Sequence, residues 1–308
     1  MSKYLYFQDM HFTGKNSCNR LGNYFDDLLI KFDEIIQIAK DNNCDSLIDG
    51  GDLLETEKPS YNVLDEIADR IDKAQLPIYS LFGNHTMSYG HIENSKNTGL
   101  AHLQKRSEYF KYIDELDIEG VDLKIIDYSF GIEDKIKQDG IMFDDSYLWK
   151  ICIVHALLTP SKFFDSASYV QLKDIETNAD LLLIAHYHKP YTKVIGNTAF
   201  LNIGCCGRNN IDEAPIDPSV AILDTEKRSY EVIKLKSAKP ANKIFDLSKH
   251  NELKDNKKDI KEFLDSLKNV NFQSMDIGQQ IVKIGKEKNI NDNIIDYILN
   301  KMEKVKNE

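Results

Sequence analysis

Five of the eight histidines in this 308-residue chain stand directly after short apolar runs, in the company of aspartate and asparagine. Asp9 and His11 follow Tyr4-Leu5-Tyr6-Phe7, and Asp52 follows Ser46-Leu47-Ile48. Asn84 and His85 follow the run from Pro77 to Phe82, and His155 closes Ile151-Cys152-Ile153-Val154. His186 and His188 follow Leu181-Leu182-Leu183-Ile184. The set offers carboxylate, amide and imidazole donors and no thiolate, which suits Mn, Fe or Zn. A carboxylate can bridge two such ions about 3.5–4 Å apart, and a pair at that spacing acidifies a water and clamps phosphoryl oxygens. Residue type, number and order together point to metal-assisted phosphoester hydrolysis. A lone histidine after a strand, or a lone Gly-Asp, would carry no such weight.

These residues can act together only if the backbone delivers them to one place. The apolar runs read as buried strands, and amphipathic segments lie between them. Phe25, Leu28, Leu29, Phe32, Ile35, Ile36 and Ala39 recur at the spacing of one helix face. Val63, Leu64, Ile67, Ala68 and Ile71 form a second such face. Leu123-Lys124-Ile125-Ile126 adds a strand, and from Ala199 to Leu235 the pattern turns to short strands and turns. Strands alternating with helices indicate βαβ units and the α/β class. Loops at the carboxyl ends of such strands converge, and sites form there. The expected architecture is two packed sheets with helices outside.

Hydrophobic residues make up 42% of the chain and charged residues 29%. That is enough apolar material for a large core and too much for wholesale disorder. No apolar run approaches the ~20 residues of a membrane helix, so no membrane is expected as a partner. The five cysteines include no CxxC pair, which indicates neither a disulfide framework nor a zinc knuckle. Met1-Ser2-Lys3-Tyr4 leads straight into a strand, so a reducing cytoplasm is the expected compartment. The net charge of -11 argues against passive binding of a polyanion. That charge is uneven. Residues 243–308 carry 13 Lys and Arg against 12 Asp and Glu, whereas residues 1–242 carry 26 against 38. The shift, with Pro240 inside Lys239-Pro240-Ala241-Asn242, marks an expected boundary between a catalytic domain over 1–242 and a C-terminal region over 243–308.

The ordered segments resemble the calcineurin-like metallophosphoesterase superfamily, whose pattern runs DxH, GD, GNH(D/E), H and GHxH. The resemblance extends from Asp9 to about Leu235 and narrows to SbcD-type DNA repair nucleases and their phage relatives. His11-Phe12-Thr13-Gly14-Lys15-Asn16, with Arg20 and Lys31, carries the narrower likeness. So do Gly51-Asp52-Leu53-Leu54 with Pro59-Ser60, Ala185-His186-Tyr187-His188-Lys189-Pro190, and Asn202-Ile203-Gly204 with Arg208. The resemblance implies a four-layer α/β/β/α sandwich of two mixed sheets flanked by helices. It implies two divalent ions, Mn first, with Fe, Zn and Mg as alternatives. Asp9, His11 and His188 would hold one ion, Asn84, His155 and His186 the other, and Asp52 would bridge. His85 would be catalytic rather than a ligand. It would stabilise the transition state or protonate the leaving oxygen while a metal-bound hydroxide attacks in line. The implied activity is exonuclease with endonuclease activity on DNA, in repair or phage DNA metabolism.

The chain departs from this pattern in three places. Thr86 stands where the family has an acid after GNH. The group that orients His85 must then come from elsewhere, with Asp49 a local candidate, or be the Thr86 hydroxyl. Ala185 replaces the glycine of GHxH, and Cys205-Cys206 stand near the turn where the family has Pro-Gly-Ser. A pair of reduced, partly buried thiols is favoured there over redox control. Lys15, Asn16, Arg20, His91 and Arg208 are candidate substrate contacts, in which a charge-assisted bond acts on binding rather than specificity. The bland alternative for each is a solvated loop residue. For so acidic a chain, the nuclease reading requires a basic patch around Lys15 and Arg20 or a partner's surface.

Three amphipathic stripes follow the boundary. They are Ile260, Phe263, Leu264 and Leu267; Ile277, Ile281 and Ile284; and Ile294, Ile295, Ile298, Leu299 and Met302, with Asn291 as an N-cap. Three short helices bury little surface alone, so they should dock as a cap or on a partner. By resemblance the partner is an SMC-like SbcC-type ATPase, and the nuclease is a homodimer. Two other functions stay open. One is a phosphodiesterase or phosphatase acting on small phosphoesters or cyclic nucleotides, because a fold does not fix its substrate. The other is a weakened nuclease serving as an ATPase adaptor, suggested by Thr86 and Ala185.

Overall fold

Successive residues of the first strand enter different interiors, as the two-residue period of a strand requires. Tyr4 and Tyr6 pack with Ile48, Ile151, Ile153, Leu181 and Leu183. Leu5 and Phe7 pack instead with Leu28, Phe32, Ile35, Ile67 and Ile71. The computed structural model in which these contacts occur describes residues 2–17, 19–87, 92–163 and 167–247, together with Val282, Gly285, Lys286, Asn291 and Ile295. The chain divides into two compact units, Met1–Phe245 and Asp246–Glu308.

The first unit opens with β1 (Lys3–Phe7), α1 (Tyr24–Asp41), β2 (Ser46–Asp49), α2 (Tyr61–Ala74) and β3 (Ile78–Ser80). It continues with α3 (Gly99–Arg106), β4 (Phe110–Tyr112), β5 (Val121–Ile126), α4 (Ile132–Asp139) and β6 (Trp149–His155). Then come β7 (Leu158–Thr159), β8 (Val170–Gln171), β9 (Leu181–Ala185), β10 (Tyr191–Ile195) and β11 (Thr198–Asn202). It closes with β12 (Ser219–Asp224), β13 (Ser229–Lys234) and α5 (Ala241–Ile244). One sheet has the order β13-β12-β1-β2-β3-β4 and the other β10-β11-β9-β6-β5. Both are mixed. β1, β2, β3 and β4 run parallel, as do β5, β6, β9 and β11, while β12, β13 and β10 pair antiparallel at the edges.

The helix faces read from the sequence are α1 and α2. Asn23 caps α1 by accepting from the backbone N–H groups of Phe25 and Asp26. Both helices, with α3, cover the outer face of the first sheet. On the second sheet, Cys152, Val154, Leu182 and Ile184 turn outward to meet Ile132 and Ile136 of α4. The result is the four-layer sandwich. Truncating a fully buried ring such as Phe32 costs about 3–5 kcal/mol, because the cavity cannot close. The strands end level: Phe7, Asp49 and Ser80 stand side by side, as do His155 and Ala185. This register brings the loops after β1, β2, β3, β6 and β9 to one rim.

In the second unit, the N–H of Ile295 donates to the carbonyl of Asn291 at 3.3 Å, the bond that an N-cap carbonyl accepts. The rest of the three C-terminal stripes lies outside the described residues. Among the described residues no helix is long and apolar enough to cross a membrane.

Candidate metal centre

The rim loops are tightly wound. Asp9, His11, Asp52 and His186 have φ of 50°, 53°, 54° and 79°, in the left-handed region that costs a non-glycine residue of order 1–3 kcal/mol. Asp9, His11 and Asp52 are over-determined by their surroundings. Asp9 N–H donates to Gly51 O at 3.1 Å and His11 N–H to Asp52 O at 2.9 Å. Gly83 approaches so closely that a Cβ there would overlap the Asp52 carboxylate, and a Cβ on Gly51 would overlap the His155 ring. That approach lets the His85 N–H donate to Asp52 Oδ1 at 2.9 Å.

The side chains so aimed meet in overlapping groups. Ligand atoms of Asp9, His11 and His188 lie within 4.8 Å of one another, as do those of His11, Asp52 and His85, and of Asp52, His155 and His186. Asn84 Oδ1 joins the last group, 3.2 Å from His155 Nε2. His11 Nε2 faces His188 Nε2 at 3.1 Å. Asp52 Oδ2 lies 3.2 Å from His155 Nε2. Asp9 Oδ1 is buried and accepts no hydrogen bond among the described residues. Two imidazole lone pairs pointed at each other, beside a carboxylate oxygen without a donor, repel unless a proton or a cation sits between them. The donor set therefore fits divalent cations.

A second layer fixes the rings. His155 Nδ1 donates to Gly50 O at 2.9 Å, His188 Nδ1 meets Glu213 Oε1 at 2.6 Å, and His11 Nδ1 lies 2.8 Å from Glu55 Oε2. Each contact occupies Nδ1 and leaves Nε2 for the centre. Gln8 Nε2 donates to Asp9 Oδ2 at 2.9 Å and is itself held by Tyr6 and Asn202. Burial pulls the His11 imidazolium down, but the Glu55 hydrogen bond and the Asp52 and Asp9 charges outweigh it and raise it to about 9. His155 is likewise raised to about 9 by Asp52 against burial. Burial and the charge of His155 lower His186 to about 3. Burial opposes ionisation of Asp52, yet the His155 and His11 charges hold its carboxyl well below the usual range.

Several sequence expectations need correction. Arg20 and Arg208 do not face a substrate. Arg20 is buried, donates to the carbonyl of Arg208 and to Asp27 at 3.0 Å, and stacks on Tyr24. Arg208 is buried too, and donates to the carbonyls of Ile216 and Lys239. Asn16 uses its amide to join Gly22 O and the Tyr24 N–H at the start of α1. Lys15 is exposed on a cleft bordered by Glu55. His91 lies outside the described residues. Asp49 is bonded to Ser80 Oγ at 2.6 Å rather than to His85. Thr86 Oγ1 closes its own turn with Gly83. His85 Nδ1 is held by the main-chain carbonyl of Glu55 at 2.9 Å, with Glu55 Oε2 at 3.9 Å. Cys205 and Cys206 are fully buried, and the Cys205 thiol stands with His188 and Glu213. Gln8, Glu55 and Glu213 were not legible as site residues. The only available signals were a carboxylate three residues after Asp52 and the Asn210–Glu213 capping box.

Residues 7–190 match the calcineurin-like phosphoesterase family. The chain is 25% identical over 222 residues to the DNA double-strand break repair protein Mre11 of Methanosarcina mazei, covering 68% of this chain and 32% of that protein. It is 25% identical over 224 residues to the Mre11 protein of Methanosarcina acetivorans, covering 68% and 33%. The chain thus spans about a third of the length of these relatives. A solved structure described as a novel archaeal phosphodiesterase is similar at 18% identity, covering 76% of this chain and 99% of that one with a TM-score of 0.41. With the family pattern running through more than half of its length, from the end of β1 to just beyond His188, the chain belongs to the calcineurin-like phosphoesterase family.

Proposed function

We propose that this protein hydrolyses phosphodiester bonds of DNA using two divalent cations, with manganese the best match to its donors. The observation that carries the proposal is the donor set, in which the His11 and His188 Nε2 atoms lie 3.1 Å apart beside a partnerless oxygen of Asp9. Asp9, His11 and His188 would hold one cation, Asn84, His155 and His186 the other, and Asp52 both. When bound, the cations supply Lewis acidity, neutralising phosphoryl oxygens and making a neighbouring water more acidic.

The chain's own residues do the rest. Glu55, Gly50 and Glu213 fix the Nδ1 side of three imidazoles, so their Nε2 lone pairs need no reorganisation. The His85 Nδ1 must carry a proton to donate to the Glu55 carbonyl. Its Nε2 is then the atom that, when protonated, passes a proton to the leaving oxygen. The His85 ring packs edge-on against His11 with centroids 4.7 Å apart, and its side chain is 37% exposed, so substrate can reach it.

The Mre11 likeness supports DNA as the substrate. The SbcD-type resemblance, with amphipathic stripes in the C-terminal sequence, supports engagement of an SMC-like SbcC-type ATPase, and the resemblance alone supports a homodimeric assembly. The test is a metal titration on end-labelled duplex and single-stranded DNA, with bis(p-nitrophenyl) phosphate and cyclic nucleotides as controls. DNA cleavage with Mn and none in chelator supports the proposal. Turnover of the small substrates alone replaces it with a small-phosphoester enzyme. Metal binding without any turnover replaces it with an adaptor.

A further inference from the structure

The nuclease reading requires cations that the buried Arg20 and Arg208 do not provide. Exposed lysines supply them elsewhere. A cleft of about 610 Å³ borders Glu55, the residue that holds His11 and His85, and is lined by Thr13, Lys15, Thr56 and Lys58. Lys58 and Pro59 are also the wall of a second cleft of about 410 Å³, lined by Tyr61, Lys96, His102 and Lys105. The two clefts therefore share a wall, and the first borders Glu55 beside the candidate metal centre. Among the described residues, Glu55 is the single carboxylate lining either cleft, and it is engaged by His11 and Asn209.

Three of these lysines are uncommitted. Among the described residues Lys15, Lys96 and Lys105 enter no ion pair, and Lys58 meets its neighbour Glu57 only at 3.7 Å. Arg106, next to Lys105, shows the contrast, being tied to Asp69 at 2.6 Å and Asp72 at 3.0 Å. Four lysines, three of them outside any ion pair among the described residues, line these two clefts in a domain with 26 basic and 38 acidic residues and make a local field that a phosphate backbone recognises. The second cleft also carries a ring. Tyr61 is 75% exposed at the start of α2, with its ring 5.9 Å from that of His102. An exposed aromatic beside spaced cations is the chemistry of single-stranded nucleic-acid grooves.

We propose that a single DNA strand runs from the metal centre over Lys58 into the α2–α3 cleft, with its phosphates on Lys96 and Lys105 and a base on Tyr61. This rests on the nuclease reading. It is tested in the full chain by fluorescence anisotropy of a labelled thymidylate dodecamer in EDTA at several salt concentrations. Hydrolysis of bis(p-nitrophenyl) phosphate with Mn is measured alongside. The double variant Lys96→Ala/Lys105→Ala is expected to bind the dodecamer about tenfold more weakly and to lower the salt slope by about 1.4, two contacts at ~0.7 each. Tyr61→Leu is expected to weaken binding by about tenfold with the slope unchanged. Both should hydrolyse the small diester at the wild-type rate, because that substrate is too short to enter the second cleft. Wild-type affinity and slope in the double variant overturn the proposal, as does a wild-type protein that does not bind the dodecamer. A wild-type protein that hydrolyses the small diester but never cuts DNA overturns the nuclease reading instead, and the anisotropy separates the two failures.

Discussion

Glu55 Oε2 lies 2.8 Å from Nδ1 of His11. The same residue accepts from His85 Nδ1 through its main-chain carbonyl at 2.9 Å. One residue thus orients a proposed ligand with its side chain and a proposed proton donor with its backbone. Glu55→Gln leaves the backbone contact in place and removes the carboxylate. The expected result is metal affinity lower by about 10–100-fold, the usual range for such outer partners, with the unfolding midpoint little changed. Isothermal titration with Mn and a thermal melt check it. Wild-type affinity would show that His11 needs no carboxylate.

The pH dependence of metal binding has a defined sign. His11 and His155 are raised from 6.5 to about 9 in the metal-free fold. Their contribution to stability is complete below 6.5 and is lost as the pH rises toward 9. A cation must displace the same protons, so its affinity rises over that window. The increment in Tm between Mn-loaded and EDTA-treated protein should therefore grow from pH 6.5 to 9. A flat increment would contradict the assignment of these two histidines.

Arg20 acts in the core rather than on substrate. Its guanidinium pairs with Asp27 at 3.0 Å and lies 4.3 Å from the centre of the Tyr24 ring. Arg20→Ala removes the buried partner of the Asp27 carboxylate and leaves it, among the described residues, the exposed Lys239 at 2.6 Å. A loss of about 1–3 kcal/mol is expected, from the hydrogen bonds to a charged group that are lost, read by urea denaturation. Lys15→Ala, on an exposed loop, should leave stability within about 0.5 kcal/mol of wild type.

The vicinal cysteines should be inert. Burial raises the Cys206 thiol to about 11 and the Cys205 thiol well above its ordinary value. A buried thiol held protonated is a poor nucleophile. Under mild peroxide, peptide mapping should find Cys205 and Cys206 unmodified and activity retained. Reversible inactivation that a Cys205→Ser/Cys206→Ser variant escapes would establish redox control instead.

Strand ends and donor types made the centre legible in the sequence, because a period of two and a polar residue after each apolar run are local features. The α1 and α2 faces were legible for the same reason. α3 and α4 have eight residues each, too short for a repeating face, and β4 has three. The partners of the proposed ligands were hidden because they are joined by tertiary contact. Glu213 reaches His188 from 25 residues away, and nothing in its neighbourhood marks it beyond a capping box. Arg20 and Arg208 misled for the complementary reason. Beside a metal motif an arginine reads as a phosphate contact, and only packing against Tyr24 and Phe245 reveals it as core.

The central claim is tested most directly by His85→Ala, assayed for Mn-dependent cleavage of end-labelled DNA while bound Mn is counted in the same preparation. The expected result is two Mn ions bound as in wild type and cleavage lowered by about 10²–10⁴-fold, the range for a lost proton donor. Cleavage at the wild-type rate, or wild-type activity that persists in chelator, would contradict it.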